Sequence, residues 1–359
     1  MQKSILIIRH NNIGDLVSTT PLIWALRERF PAARIDALVN SYSRPVLANN
    51  PDLNNIYAFT KTQHREPHES LVSVHWRRLR LLLALRRRRY DCVILASGGY
   101  LPRPLRLARW VAPQAIVGFV PPGAARTPIT LGVPLDDQPR HEVEDLFRLL
   151  EPLGIVGRPP PTRVIDSAQT VCKARDQLAR APWYDASRPV VAIHISARKV
   201  SQRWPAECFA ALMRHLNTTH GAQFMLFWSP GDESNPRHPG DNSKATAIMS
   251  ACTRLPVLAY PTSHLEDLIG GLSLCSAMVC SDGGAMHVGA GLGLPIVCFF
   301  GDSDATRWHP WGVRHELLQK PSRDVRDISV ADACEAFGRL TGRGGRGDLT
   351  QNRVDVALV

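Results

Sequence analysis

No run of about 18 apolar residues occurs anywhere in this chain of 359 residues, which excludes an ordinary membrane-spanning helix. Cysteine pairing is missing too. The eight cysteines are scattered without a C-x-x-C pair, and the closest two, Cys275 and Cys280, are poorly spaced for a metal site. That excludes a disulfide framework and a zinc signature, and the thiols are expected to be the reduced, buried residues of a cytoplasmic protein. The opening MQKSILIIRH has a short apolar run and no small-residue cleavage site, so no secretory leader is expected. The turn after the first strand candidate, HNNIGD, lacks G-x-G-x-x-G, which disfavours a nicotinamide enzyme. No repeat of solenoid period and no helix-turn-helix, zinc-finger or RNA-motif signal is found, so specific nucleic-acid binding is not expected.

What is present is an ordinary globular composition with a basic excess. Lysine and arginine number 43 against 32 acidic residues, a formal net charge of +11. Such a charge suits a polyanionic partner or surface: nucleic acid, anionic lipid or a phosphorylated glycan. The length exceeds what one hydrophobic core usually serves.

Short apolar strand candidates alternate with helical patterns. In the first half SILIIR, RIDALVN, YDCVILAS and AIVGFV read as strands, and DLVSTTPLIWALRERF as one helix starting near Leu16. The proline-rich GRPPPTRV follows a helical pattern and marks a boundary. A second series then begins, with RPVVAIHIS, AQFMLFWS, AMVCSD and PIVCFFG as strands. This alternation predicts an α/β protein of two Rossmann-like domains facing across a cleft, spanning 1–160 and 161–342. The Gly/Arg-rich residues 343–359 are expected to be a mobile tail.

Four segments carry candidate chemistry. Asp15 sits beside Gly14 where the first strand turns into a helix, as a helix cap or a proton acceptor. CSDGGAMH ends a strand in Ser281-Asp282, places Gly283 and Gly284 in the turn and opens a helix with Ala285, Met286 and His287. Ligands of open α/β sheets bind beyond such strand ends, and a helix start offers N–H groups to phosphate. Capping by Asp282 is an equal alternative. RKVSQRWP follows another strand and brings Arg198, Lys199 and Arg203 together with Ser196 and Ser201, a set suited to diphosphate or to a solvated basic loop. WSPGDES offers Asp232 or Glu233 to ribose hydroxyls, unless Asp232 only closes a turn at Gly231. The glycines of GAGLG fall late in a helix and read as packing positions, and Trp308 and Trp311 as packing aromatics.

Taken together, IGDLVSTTPLIWALRERFP, YDCVILAS, IVGF, QRWPAECFAAL, SDGGAMHVGAGLGLPIVCFFG and DATRWHPWG resemble glycosyltransferase family nine, the ADP-heptose:lipopolysaccharide heptosyltransferases. The resemblance spans roughly Ile5 to Gly312. It implies a GT-B fold with acceptor on the N-terminal and nucleotide-sugar on the C-terminal domain, and an inverting transfer without metal or cofactor. It assigns Asp15 as general base. Ser196, Lys199, Arg203, Glu233, Asp282, Gly283, Gly284, Ala285, Met286 and His287 are the donor-binding candidates. Two departures stand out. Gln202 occupies a position where family members often carry lysine, and Gly283 one where they usually carry Thr or Ser. A different donor sugar, a protein acceptor or a non-catalytic nucleotide-sugar-binding protein remain alternatives. The basic stretch HWRRLRLLLALRRRRYD fits a helix with leucines in the core and arginines in water. Its alternative is peripheral contact with the anionic inner face of the cytoplasmic membrane, beside a lipid-linked glycan acceptor.

Overall fold

The computed structural model describes residues 3–59, 71–123, 127–234 and 240–342; the expected tail lies outside them. The chain divides into two compact units at Ile165 and Asp166. The first contains β1 (Ser4–Arg9), α1 (Ile13–Val17), α2 (Thr20–Arg29), β2 (Arg34–Asn40), β3 (Asn55–Phe59), α3 (Leu71–Arg87), β4 (Cys92–Leu95), α4 (Pro102–Val111), β5 (Ala115–Val120), β6 (Leu131–Pro134) and α5 (Glu142–Arg148). The second contains α6 (Ala168–Ala179), β7 (Val190–His194), α7 (Ala206–His220), β8 (Gln223–Trp228), α8 (Asn242–Ala251), β9 (Val257–Pro261), α9 (Leu265–Leu272), β10 (Ala277–Ser281), α10 (Gly284–Gly291), β11 (Ile296–Phe300), α11 (Ala305–Trp308), β12 (His315–Gln319) and α12 (Val330–Thr341).

Each unit builds one six-stranded parallel sheet, in the orders β3-β2-β1-β4-β5-β6 and β12-β11-β10-β7-β8-β9. Both are the Rossmann order, starting in the middle and winding outward each way. Ile5 to Ile8 of β1 and Val190 to Ile193 of β7 are buried throughout, as strands covered on both faces must be. The switch of winding direction falls between β1 and β4 in one sheet and between β7 and β10 in the other.

The single helix expected over Asp15–Phe30 is two, and the first begins at Ile13 rather than near Leu16. Pro21 is the cause. It has no N–H to give the carbonyl of Val17, which instead accepts from the hydroxyl of Thr20 at 2.7 Å. The break at Ser18–Thr19 leaves α1 as a separate short turn carrying Asp15. Packing explains one glycine of GAGLG: a Cβ on Gly289 would stand 2.7 Å from the Met278 sulfur of β10. Five of the eight cysteines are buried as expected, whereas Cys172 is exposed and Cys208 and Cys334 are half-buried.

The core of the second unit centres on Trp204, whose ring lies 4.8 Å from Phe209 and 4.7 Å from Phe299. Its indole N–H donates to the carbonyl of Ile328 at 2.9 Å. This side chain ties the loop after β7 to the sheet and to the segment before α12. Trp204→Ala is expected to lower unfolding free energy by about 3–5 kcal/mol, read as a fall in denaturant midpoint with unchanged slope.

Candidate active site and donor loops

β1 ends in a residue that its neighbours do not predict. Arg9 is 2% exposed, and a buried guanidinium must be paired. It donates from Nη2 to Asp15 Oδ1 at 2.7 Å and to Glu142 Oε1 of α5 at 2.8 Å, and from Nη1 to the carbonyl of Ala96 beyond β4. The second oxygen of Asp15 accepts the backbone N–H of Asn12 at 2.9 Å, closing the first turn of α1. Asp15 therefore does cap, from the third position of the helix, and is held at both oxygens. Its side chain remains 13% exposed, against 3% for Glu142, so of the two carboxylates on Arg9 it is the one open to solvent. The turn that carries it is pinned by the end of β2 and the segment after it, with Asn40 Nδ2 donating to the carbonyl of Asn11 at 3.0 Å and the Tyr42 hydroxyl to the same oxygen at 3.0 Å. Arg9 and Glu142 were not singled out in the sequence. Arg9 had a signal, a charge ending an all-apolar strand; Glu142, 133 positions away, had none.

In the second unit the loops after β7, β10 and β11 are joined by Gln202. Its Nε2 donates to Asp282 Oδ2 at 2.8 Å and to the Ser303 hydroxyl at 2.7 Å, and the residue is 5% exposed. Gln202 is thus a buried bracket across three strand ends. Lys199 pairs with Asp302 at 2.9 Å on the surface, which holds the Asp302 carboxyl below its ordinary value. Arg203 is half-buried and donates from Nε to the carbonyl of Ala197 at 3.0 Å. The Ser196 hydroxyl accepts the N–H of Ser229 at 2.8 Å, linking the ends of β7 and β8. Gly283 is exposed and precedes α10, and as its N-cap residue offers no side-chain oxygen to the N–H groups there. Gly284 and Ala285 are half-buried, whereas Met286 is wholly buried and His287 packs edge-on against Trp308 at 6.0 Å. Asp232 Oδ1 accepts the N–H of Ser234 at 2.7 Å, the turn closure that was its alternative, and Glu233 beside it is exposed.

A residue missed in the sequence is Lys244 of α8. Its ammonium donates to the carbonyl of Ile195 at 3.1 Å and lies 5.1 Å from the Phe209 ring centroid. Burial pushes its pKa down to about 8, with the charge of Asp241 opposing that and Arg203 adding to it. Burial also pushes the imidazole of His194, at the end of β7, down to about 4, helped by the charge of Lys244. Among the described residues, no group of three or more His, Cys, Asp or Glu is placed to hold a metal ion.

Two Rossmann-like domains, each with polar residues gathered at its switch point, make up the GT-B fold. Residues 78–332 match Glycosyltransferase family 9 (heptosyltransferase), and the chain belongs to that family. It is 23% identical over 344 residues to lipopolysaccharide heptosyltransferase 3 of Escherichia coli, covering 91% of this chain and 96% of that one. It is 25% identical over 318 residues to lipopolysaccharide heptosyltransferase 2 of Salmonella typhimurium, covering 83% of each. Among solved structures it resembles a family 9 glycosyl transferase from Veillonella parvula, with a TM-score of 0.79 and 20% identity over 95% of this chain and 98% of that one. Escherichia coli heptosyltransferase WaaC, solved with ADP, gives a TM-score of 0.71 at 18% identity, over 94% of this chain and 99% of that one.

Two outcomes test this geometry. Gln202→Leu leaves Asp282 and Ser303 without their shared donor and is expected to cost about 1–3 kcal/mol in denaturant unfolding. Acid should also weaken the second unit through His194. Between pH 6.5 and about 4 the unfolded imidazole binds a proton that the folded one refuses, so stability falls as pH drops through that window. Below it both states are protonated and the penalty, on the order of 3 kcal/mol, is complete. Melting curves of His194→Gln from pH 7 to 4 should show a flatter decline than the parent.

Proposed function

We propose that this glycosyltransferase moves heptose from ADP-heptose to a lipopolysaccharide core glycan, with inversion and without a metal cofactor. The observation that carries the reading is Asp15, a carboxylate fixed at both oxygens, partly open to solvent and seated at the first sheet's switch point. Inversion by single displacement needs a base to take the proton of the acceptor hydroxyl on the face opposite the leaving nucleotide, and Asp15 is suited to that role. The leaving ADP carries two phosphates whose charge must be met. The N–H groups at the start of α10, Arg203, Lys199 and the Ser196 hydroxyl are suited to receive it, with Glu233 directed to ribose hydroxyls. Relatives solved with ADP and with ADP-2-deoxy-2-fluoro heptose support an ADP-linked donor. The names of the curated relatives support a lipopolysaccharide acceptor. A seat at the inner face of the cytoplasmic membrane suits an enzyme whose acceptor is lipid-linked; among the described residues no helix is long and apolar enough to cross a membrane.

Asp15→Asn has one acceptor oxygen and so keeps only one of the two bonds, to Arg9 or to the Asn12 N–H, while Glu142 still pairs with Arg9. A cooperative melting transition should persist at a somewhat lower temperature while kcat falls by about 10²–10⁴. Transfer by this variant at the parental rate would remove Asp15 from the mechanism. A thermal-shift series with ADP-, UDP-, GDP- and dTDP-sugars should respond to the ADP-sugar alone. A wild-type chain that binds the donor but transfers nothing would be a binding protein, the reading that neutral Gln202 favours.

A further inference from the structure

Helix α3 has two apolar faces. Leu85 is buried, and Leu81 and Leu82 pack beside it against the first unit's core. That side was expected from the sequence. The other was not: Trp76 is 59% exposed, Leu79 39% and Leu83 40%, at positions i, i+3 and i+7 that form one stripe. The leucines of this helix are thus divided between core and solvent, which corrects the expectation that they all pack inward. Arg86, seven residues after Leu79, continues the stripe and donates to the carbonyl of Trp110 at 3.1 Å. Trp110, 55% exposed, belongs to α4, which packs beside α3 and turns Arg103, Arg106 and Arg109 outward.

Two properties of this surface distinguish it from an ordinary solvated face. Bulky apolar side chains are exposed along a line instead of singly. Between Leu71 and Ala112 there are ten arginines and a single carboxylate, Asp91. That carboxylate is already engaged by the backbone and hydroxyl of Ser4. A second copy of the chain would bring the same excess of positive charge, so self-association on this face is opposed. An anionic phospholipid leaflet offers what both properties require: headgroup charge for the guanidinium groups and an apolar boundary for tryptophan and leucine.

We propose that the α3–α4 face is the membrane-docking surface, with α3 lying in the plane of an anionic bilayer and Trp76, Leu79, Leu83 and Trp110 entering the headgroup–acyl boundary. This deepens the reading of a membrane-seated transferase and is independent of the assignment of Asp15.

The test is sedimentation of the full chain with vesicles of phosphatidylcholine alone, and with vesicles containing roughly one part in three phosphatidylglycerol. Binding is expected only to the anionic vesicles, with a blue shift of tryptophan emission, and it should weaken steeply as salt rises. Trp76→Ser combined with Leu79→Ser and Leu83→Ser should lower the partition coefficient at least about tenfold. Arg103→Glu with Arg106→Glu, on the other helix, should do the same. Circular dichroism and an unchanged thermal shift with ADP would show that both variants are folded and that the donor loops are intact. Equal binding to both vesicle types, or parental binding by both variants, would overturn the proposal. So would a parental dimer that the serine variant converts to monomer without any vesicle binding. Failure of the ADP shift in the parent would instead count against the donor reading and leave the vesicle result standing.

Discussion

Two neighbouring parallel strands whose following helices leave in opposite directions cannot close the gap between their ends. In the first sheet β1 leads toward β2 while β4 leads toward β5, and right-handed crossovers then send α1 and α4 to opposite faces. The same divergence occurs between β7 and β10 in the second sheet. Backbone polar groups are uncovered at such a gap, and side chains must satisfy them. Arg9 does so in one sheet by reaching from β1 to the carbonyl of Ala96 past β4; in the other, Gln202 and Asp282 join the two strand ends side chain to side chain. The candidate chemistry of each domain is therefore a consequence of winding order, and each site is held by a side chain that bridges the gap.

The two bridges differ in charge. Arg9 is a buried cation and needs anions, which makes carboxylates at Asp15 and Glu142 an electrostatic requirement. Gln202 is neutral and brackets its loops without imposing any charge, so the cations near it belong to Lys199, Arg203 and the recessed Lys244. That division agrees with the roles proposed above, a base from the first domain and an anion-binding loop set from the second.

Legibility of the sequence followed burial. Every interior strand of both sheets was readable as an apolar run: SILIIR, RIDALVN, YDCVILAS and AIVGFV in one, VVAIHIS, AQFMLFWS, AMVCSD and PIVCFFG in the other. The four strands without a sequence signal, β3, β6, β9 and β12, are the four edges. They are only partly covered, as NIYAF and HELLQ show, so nothing forces a continuous apolar segment upon them. The same rule governed the sites. Asp15, Asp282 and the Ser196–Arg203 loop follow strands that could be seen, and their positions were readable. The partners that fix them were not, because Glu142 and Ser303 reach them across long stretches of chain that no local pattern links. The division of α2 from α1 was written in Pro21, whose missing N–H matters only once the acceptor it would have served, Val17, is known to end a turn.

Arg9 joins the first strand of its domain to a helix 133 positions later. During synthesis the amino-terminal strand leaves the ribosome long before α5 exists, and domains fold as units once their last element emerges. Until then the guanidinium has one carboxylate where it later holds two, and the group nominated for proton transfer lacks its finished setting. The setting of Asp15 is thus completed only near the end of the domain's production, long after the strand that leads into it has been made.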